Sequence, residues 1–327
     1  MTQSSDSTRL RPTRRPAFTL VELLVVMVIV AILATIVLFT YLGAMELGKR
    51  ARTQAQITKI DNYIMEKWEE FITRRIPLRI TPQADRSGGA MIRLNARRDM
   101  MRMDLPDRIT DVTSEPANLG GNYKLKRTNL SSDYAKFVTA RTNDWSTQNQ
   151  GAECLYMILY HMADRDSSPL DFFRDSEIGD VDNDKMPEIL DGWGKPITFL
   201  RWAPGFISDK QPYNFVTMSS VAEEDRAPDP FDPLGTHEKF TSAQGAAVET
   251  FPLFPLVLSA GPDKEYNVTI SDPNDQGGSF DYTTDTNPPC NPYHAFSGGG
   301  WLGQPNREDG TEIDNLHNHT ITTRLRP

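Results

Sequence analysis

The polar and apolar positions of this chain divide it into a short polar start, one long apolar run and a much longer mixed remainder. From residue 18 to residue 42 the single charged side chain is Glu22, and residues 23–42 are apolar apart from Thr35, Thr40 and Tyr41. About 20 apolar residues carry a helix across the hydrocarbon core of a bilayer. A secretory signal has a shorter apolar core, roughly 7–15 residues, closed by a small-residue cleavage site, and no such site closes this run. Past it, Ile57, Ile60, Ile64, Trp68, Phe71 and Ile72 recur at spacings of three and four, with Lys59, Asp61, Glu66, Lys67, Glu69 and Glu70 on the other faces. That period predicts an amphipathic continuation of the same helix, from about Phe18 to about Thr73, ended by Pro77 and packed by its stripe on a globular part.

The remainder is harder to read. Residues 78–150 are rich in Arg, Asp, Asn and Thr with little sustained period, except for a Met-rich piece at 90–103 that reads as a short helix whose methionines fill a core rather than bind metal. Residues 152–163 form a clearer helix, with Leu155, Ile158, Leu159 and Met162 on the face that covers one side of a sheet. Strands are expected at 196–202, 213–218, 256–259 and 320–324, all short and separated by Pro, Gly, Asn and Asp, which favours antiparallel pairing. Residues 223–235 and 272–300 read as long loops, Gly298, Gly299 and Gly300 among them, and no internal repeat is evident. The fold class is α+β, a long helix against a small antiparallel sheet.

Charge changes the picture mainly at the N-terminus. Residues 1–17 carry Arg9, Arg11, Arg14 and Arg15 against Asp6 alone, a leader retained in the cytoplasm by the positive-inside rule. The chain as a whole has 327 residues and a net charge of -9, which leaves room for one or two globular units and argues against a nucleic-acid surface. Cys154 and Cys290 are too few for a disulfide scaffold or a four-ligand zinc site, and whether they pair is open. Glu22 stands at the edge of the apolar run, where a charge held at mid-bilayer would cost about 2.5–3.5 kcal/mol. It is either a functional carboxylate or an interfacial one that reaches the headgroups.

Residues 14–22, Arg14-Arg15-Pro16-Ala17-Phe18-Thr19-Leu20-Val21-Glu22, resemble the prepilin cleavage and methylation motif of type IV pilins and pseudopilins. The resemblance implies a type IV pilin-like fold, a cut by prepilin peptidase between Ala17 and Phe18, methylation of the new amine, and Glu22 as the carboxylate that pairs with a neighbouring subunit's N-terminus during assembly. Ala17 stands where the family usually has Gly. Many relatives carry Gly and Pro where this chain has Ala31 and Phe39, so its helix is expected to run without a kink. Two further segments are similar to the major pseudopilins of type II secretion: Asp191-Gly192-Trp193-Gly194-Lys195-Pro196-Ile197, like their Asp-x-Trp-Gly-x-Pro turn with Trp193, Gly194 and Pro196 as its structural residues, and Ser259-Ala260-Gly261-Pro262-Asp263, like their Ser-x-Gly-x-Asp segment. The domain plan that follows is a leader at 1–17, a transmembrane half-helix at 18–42, an amphipathic half-helix at 43–76 and a globular part at 77–327, of which 77–150 is an insertion and 151–327 sheet and loops.

The sharpest local chemistry lies in residues 180–191, where Asp180, Asp182, Asp184, Glu188 and Asp191 occupy positions 1, 3, 5, 9 and 12, with the Met186 carbonyl at position 7. This is EF-hand-like spacing, in which alternate carboxylates converge on calcium, although Lys185 takes the place of the turning Gly and Asp191 that of the bidentate Glu. A solvated acidic loop is the alternative. The major pseudopilins hold a calcium after the Ser-x-Gly-x-Asp segment, so the resemblance makes Asp263 a second candidate, with Asp272 and Asp275 as helpers and Lys264 against it.

His161, His237, His294, His317 and His319 are potential bases, but no nucleophile elbow, zinc-protease helix or phosphate loop accompanies them, and no catalytic residue is assigned. The pair His317 and His319 reads as incidental rather than metal-binding. The expected function is a structural subunit of a periplasmic pseudopilus in type II protein secretion, anchored once in the inner membrane with its globular part in the periplasm. Its implied partners are other pseudopilin subunits, prepilin peptidase and an inner-membrane assembly platform, with no nucleic acid. A minor pilin of a type IV pilus and a membrane-tethered periplasmic binding or enzymatic domain are the alternatives, and calcium is the one cofactor considered.

Overall fold

A computed structural model describes residues 19–80, 86–163, 168–214, 226–243, 250–271, 280–296, 299–306 and 314–320. It divides the chain into two compact units, Met1–Gly48 and Lys49–Pro327. Helix α1 spans Leu20–Thr73 without a break, through Ala31 and Phe39 as expected. In the first unit its large apolar residues are exposed, from Leu20 at 79% to Met45 at 47%. Thr35 and Thr40, the hydroxyls of the apolar run, donate to the carbonyls of Ala31 and Ile32 and of Ile36 and Val37, so the helix satisfies its own polar side chains.

In the second unit the stripe Ile57, Ile60, Ile64, Trp68 and Phe71 is buried to within 2% of full occlusion. At roughly 1.5–3 kcal/mol for each large apolar side chain removed from water, this stripe is a main source of the unit's stability. Ile72 lies off the buried line and is exposed.

Among the described residues, 78–149 contain three helices: α2, Arg86–Asp104; α3, Ile109–Thr113; and α4, Asn129–Arg141. The Met-rich piece is therefore part of a helix longer than expected, and Met91, Met100, Met101 and Met103 are buried in the core. The stretch lacks a legible period because charges are buried in it. Arg102, Arg108 and Arg201 face Asp99, Asp107 and Asp111, all at most 5% exposed. Arg102 Nε donates to Asp99 Oδ1 at 2.9 Å, Arg108 Nε to Asp107 Oδ1 at 2.9 Å, and Arg201 Nη1 to Asp111 Oδ2 at 2.6 Å. Three guanidiniums balance three carboxylates, the condition under which burial of charge is tolerated. Burial opposes ionisation of Asp107, but Arg108 and Arg201 outweigh it and bring its carboxyl down to about 2. Burial, with Asp107 adding to it, pushes Asp111 up to about 6 against the pull of Arg201.

Helix α5 occupies Gln150–His161, two residues earlier than the sequence pattern placed it, and buries Leu155, Ile158 and Leu159 against β2 and β3. Its first turn comes so close to the sheet that a Cβ on Gly151 would meet Phe199 O at 2.8 Å and Thr198 Oγ1 at 2.9 Å. The sheets are small. Strands β1 (Ile178–Gly179) and β2 (Glu188–Ile189) pair antiparallel, with Ile178 opposite Ile189 and Gly179 opposite Glu188. Strands β3 (Thr198–Leu200), β4 (Leu256–Ser259) and β5 (Leu316–His317) form an antiparallel sheet in the order β3-β4-β5. Helix α6 covers Thr236–Ala243.

Strand β4 falls where the sequence placed it, and β3 lies inside the expected 196–202. The third strand is β5 rather than 320–324, of which residues 321–324 lie outside the described residues, as do 215–218 of the strand expected at 213–218; Tyr213 and Asn214 are not in a strand. Cys154 and Cys290 are both buried free thiols, which answers the open question of their pairing.

Candidate functional site

Ala17 and Phe18 lie outside the described residues, and the assembly region is described from Thr19 onward. Thr19 and Glu22 form a capping box at the start of α1: Thr19 N and Oγ1 both donate to Glu22 Oε2 at 2.9 Å, and Glu22 N donates to Thr19 Oγ1 at 3.2 Å. The negative carboxylate thus sits at the positive end of the helix dipole. Among the described residues, α1 is the helix long and apolar enough to cross a membrane.

The acidic loop is a separate construction in the second unit. Strands β1 and β2 form its stalk, and Asn183 and Lys185 hold left-handed φ of 63° and 77°, so Lys185 adopts the conformation that a Gly usually supplies at that position. Asp180 receives Asp184 N on Oδ1 at 3.1 Å and Lys185 N on Oδ2 at 3.0 Å. The preceding segment caps the loop from above: Ser146 N donates to Asp184 Oδ2 and Ser146 Oγ to Asp182 Oδ2, both at 2.6 Å. Carboxylate oxygens of Asp180, Asp182 and Asp184 lie within 4.8 Å of one another, as do those of Asp182, Glu188 and Glu153.

Glu153 is the residue sequence reasoning missed. It lies on the first turn of α5, fully buried, and Trp145 Nε1 donates to its Oε2 at 2.5 Å while its Oε1 has no partner. Its only signal in the sequence is a carboxylate on an otherwise apolar helix face. Burial, then the nearby Asp184, Asp182 and Glu188, push its carboxyl up to about 9. Burial, with Asp182 and Asp180 adding to it, raises Glu188 to about 7, although Val181 N and Asn149 Nδ2 donate to it at 3.1 Å.

Two expected ligands stand elsewhere. Asp191 does not close the loop: its Oδ1 accepts from Trp193 N and Lys195 N at 2.9 Å, and its Oδ2 from Ser259 Oγ at 2.7 Å. The reason is the turn that follows, where Gly194 takes φ 81° and Asp191 N donates back to Lys195 O at 2.8 Å, committing the side chain to the turn. Met186, expected to offer its carbonyl, stays in the loop: its side chain is buried in the core and its N–H donates to Asp184 Oδ1 at 2.8 Å. Asp263 belongs to neither carboxylate group: Glu265 N and Asn267 Nδ2 donate to it at 2.9 and 3.2 Å, and Asp272 and Asp275 lie outside the described residues.

The Ser259–Asp191 bond joins the Asp191–Ile197 turn to the Ser259–Asp263 segment, 68 residues apart in sequence. Trp193 is buried, Pro196 O accepts from Tyr266 at 2.5 Å, and Gly192 N donates to Thr53 on α1 at 2.9 Å. His319 donates from Nε2 to Pro255 O at 3.0 Å and accepts from Ser208 on Nδ1 at 2.9 Å, so neither nitrogen is left for a metal shared with His317.

Residues 13–38 match the family described as the prokaryotic N-terminal methylation motif. No curated protein and no solved structure matches the chain.

Proposed function

We propose, for a chain that carries the N-terminal methylation motif of type IV pilin-like proteins processed by prepilin peptidase, that it is a structural subunit of a periplasmic pseudopilus in type II protein secretion. The observation that carries the reading is the motif itself, which places Glu22 at the capped start of an exposed apolar helix. A carboxylate and an ammonium are each costly in hydrocarbon and become tolerable as a pair, and a pair between Glu22 and a mature N-terminus requires a second subunit. Until then the Thr19 cap keeps the carboxylate hydrogen-bonded. Methylation of the amine leaves it basic, so the attraction survives processing.

The choice of secretion over a surface pilus rests on the Asp191 turn and the Ser259 segment, which resemble the major secretion pseudopilins and meet through one hydrogen bond. On this reading the subunit sits in the inner membrane with its second unit in the periplasm, and it supplies shape rather than catalysis.

Intact mass of the native protein should equal the chain from Phe18 plus one methyl group. Glu22→Ala should be made and processed but absent from sheared or cross-linked filaments, and unchanged assembly sinks the filament reading in favour of a tethered domain. Deleting the gene should stop export of folded proteins and leave surface pili intact. Loss of pili with export preserved would assign the chain to a type IV pilus instead.

A further inference from the structure

The unpartnered oxygen of Glu153 points to a ligand that the acidic loop by itself does not establish. Acidic loops are commonly solvated, and Asp180 is exposed while Asp182 and Asp184 are half-buried, as such a reading allows. Glu153 does not fit it: its side chain is fully buried, one oxygen is held by Trp145 at 2.5 Å, and the other lies among carboxylates with no donor. Leaving a buried acceptor without a partner costs about 1–3 kcal/mol, and more for a charged group. Asp182 Oδ1 is buried and without a partner in the same place. Two such atoms, on carboxylates whose oxygens come within 4.8 Å of one another, are satisfied together by one positive ion.

We propose that Glu153 supplies the closing ligand of a structural calcium site, completing from helix α5 the shell that Asp180, Asp182, Asp184 and Glu188 begin in the loop. The expected closing residue, Asp191, is committed to the Trp193 turn, and a carboxylate from a different element takes its place. All the donors are oxygens, the ligand set of a hard cation, with no imidazole or thiolate to favour zinc or copper. Oxygens on opposite sides of a calcium ion stand roughly 4.6–5.2 Å apart, twice its usual bond length. Within each of the two carboxylate groups, which share Asp182, the oxygens lie within 4.8 Å of one another, the span that such an ion bridges. Magnesium, at about 2.0–2.1 Å per bond and with strict octahedral geometry, needs a tighter cage.

Such an ion ties three parts of the second unit together: the β1–β2 loop, the Trp145–Ser146 segment that donates to it, and the first turn of α5, which Gly151 presses onto β3. The inference is independent of the filament reading, since it concerns the stability of one unit and not assembly.

The test uses the full chain in detergent, stripped with chelator and passed into chelator-free buffer. Calcium should raise the melting temperature of the wild-type protein and bind with measurable heat by titration calorimetry, and magnesium at the same concentration should give a smaller shift. Glu153→Gln keeps an acceptor for Trp145 but cannot become a carboxylate for the ion. It should weaken calcium binding at least tenfold and lose most of the thermal shift, while its calcium-free form melts at or above the calcium-free wild type because an amide is cheaper to bury there than an acid among carboxylates. Asp182→Asn, in the more exposed loop, should lose the shift in the same way and serves if the buried variant does not fold. Asp263→Asn should respond to calcium as the wild type does. A wild-type protein indifferent to calcium, a Glu153→Gln variant that binds it undiminished, or loss of the response in Asp263→Asn overturns the site, and an equal shift with magnesium overturns the choice of ion.

Discussion

Replacing Arg201 by Met tests whether the buried charges of the second unit act as one balanced group. Arg201 Nη1 donates to Asp111 Oδ2 at 2.6 Å and to Leu105 O at 2.8 Å, and its guanidinium lies 4.2 Å from the Trp202 ring centre. Methionine matches much of the aliphatic volume, so the loss is electrostatic rather than a cavity. Three carboxylates, Asp99, Asp107 and Asp111, then share Arg102 and Arg108 alone. Removing one partner of a buried pair costs about 3–5 kcal/mol. Protonation limits the damage: Asp111, already raised to about 6, moves higher and becomes neutral at neutral pH.

The sign follows from the direction of that shift. An acid whose folded pKa lies above its unfolded value of about 3.9 loses stability as pH rises through the interval between them. The deficit of Arg201→Met should therefore be larger at pH 8 than at pH 5.5. All five tryptophans lie beyond Gly48, so fluorescence during denaturant unfolding of the full chain in detergent reports this unit alone. Adding Asp111→Asn to Arg201→Met should restore part of the loss, since the unpaired charge is gone. A deficit below about 1 kcal/mol, or a double variant no better than the single one, refutes the idea that the six charges are coupled.

Other outcomes follow from individual contacts. Gly151→Ala places a methyl 2.8 Å from Phe199 O and must lift α5 from β3, lowering stability by about 1–3 kcal/mol in the same unfolding experiment. Thr128→Ala removes the cap that accepts Ser131 N at 3.0 Å and the bond to Asp104 at 2.6 Å, costing about 1 kcal/mol or somewhat more, read as a shift of the denaturant midpoint. Burial, joined by Arg98 at His237 and opposed by the Pro255 carbonyl at His319, holds these two histidines neutral with pKa values brought down to about 3. Their contribution is present above the unfolded value of about 6.5 and is lost as pH falls toward 3, on the order of 2 kcal/mol each at pH 5. His319→Gln should flatten the loss of stability between pH 7 and pH 5.

What the sequence determined by itself is the helix and its chemistry. A run of apolar residues, one carboxylate near its start and a stripe at spacings of three and four depend only on local periodicity, and α1 ends at Thr73, where the pattern and Pro77 placed its end. Strand β4 and helix α5 were legible for the same reason, since their apolar faces follow one period. Residues 78–150 were not, because Arg98, Asp99, Arg102, Asp107, Arg108 and Asp111 are inside, and the rule that charge marks the surface fails wherever charges neutralise one another across distant segments. The acidic loop divides in the same way. Its alternating aspartates are local and were visible, but which carboxylate closes the group was decided by the tertiary structure, which turned Asp191 toward Ser259 and brought Glu153 from a helix 27 residues before Asp180. Spacing along a loop limits what a chain can bring together nearby, whereas only packing settles which distant side chain fills a gap in a low-dielectric interior.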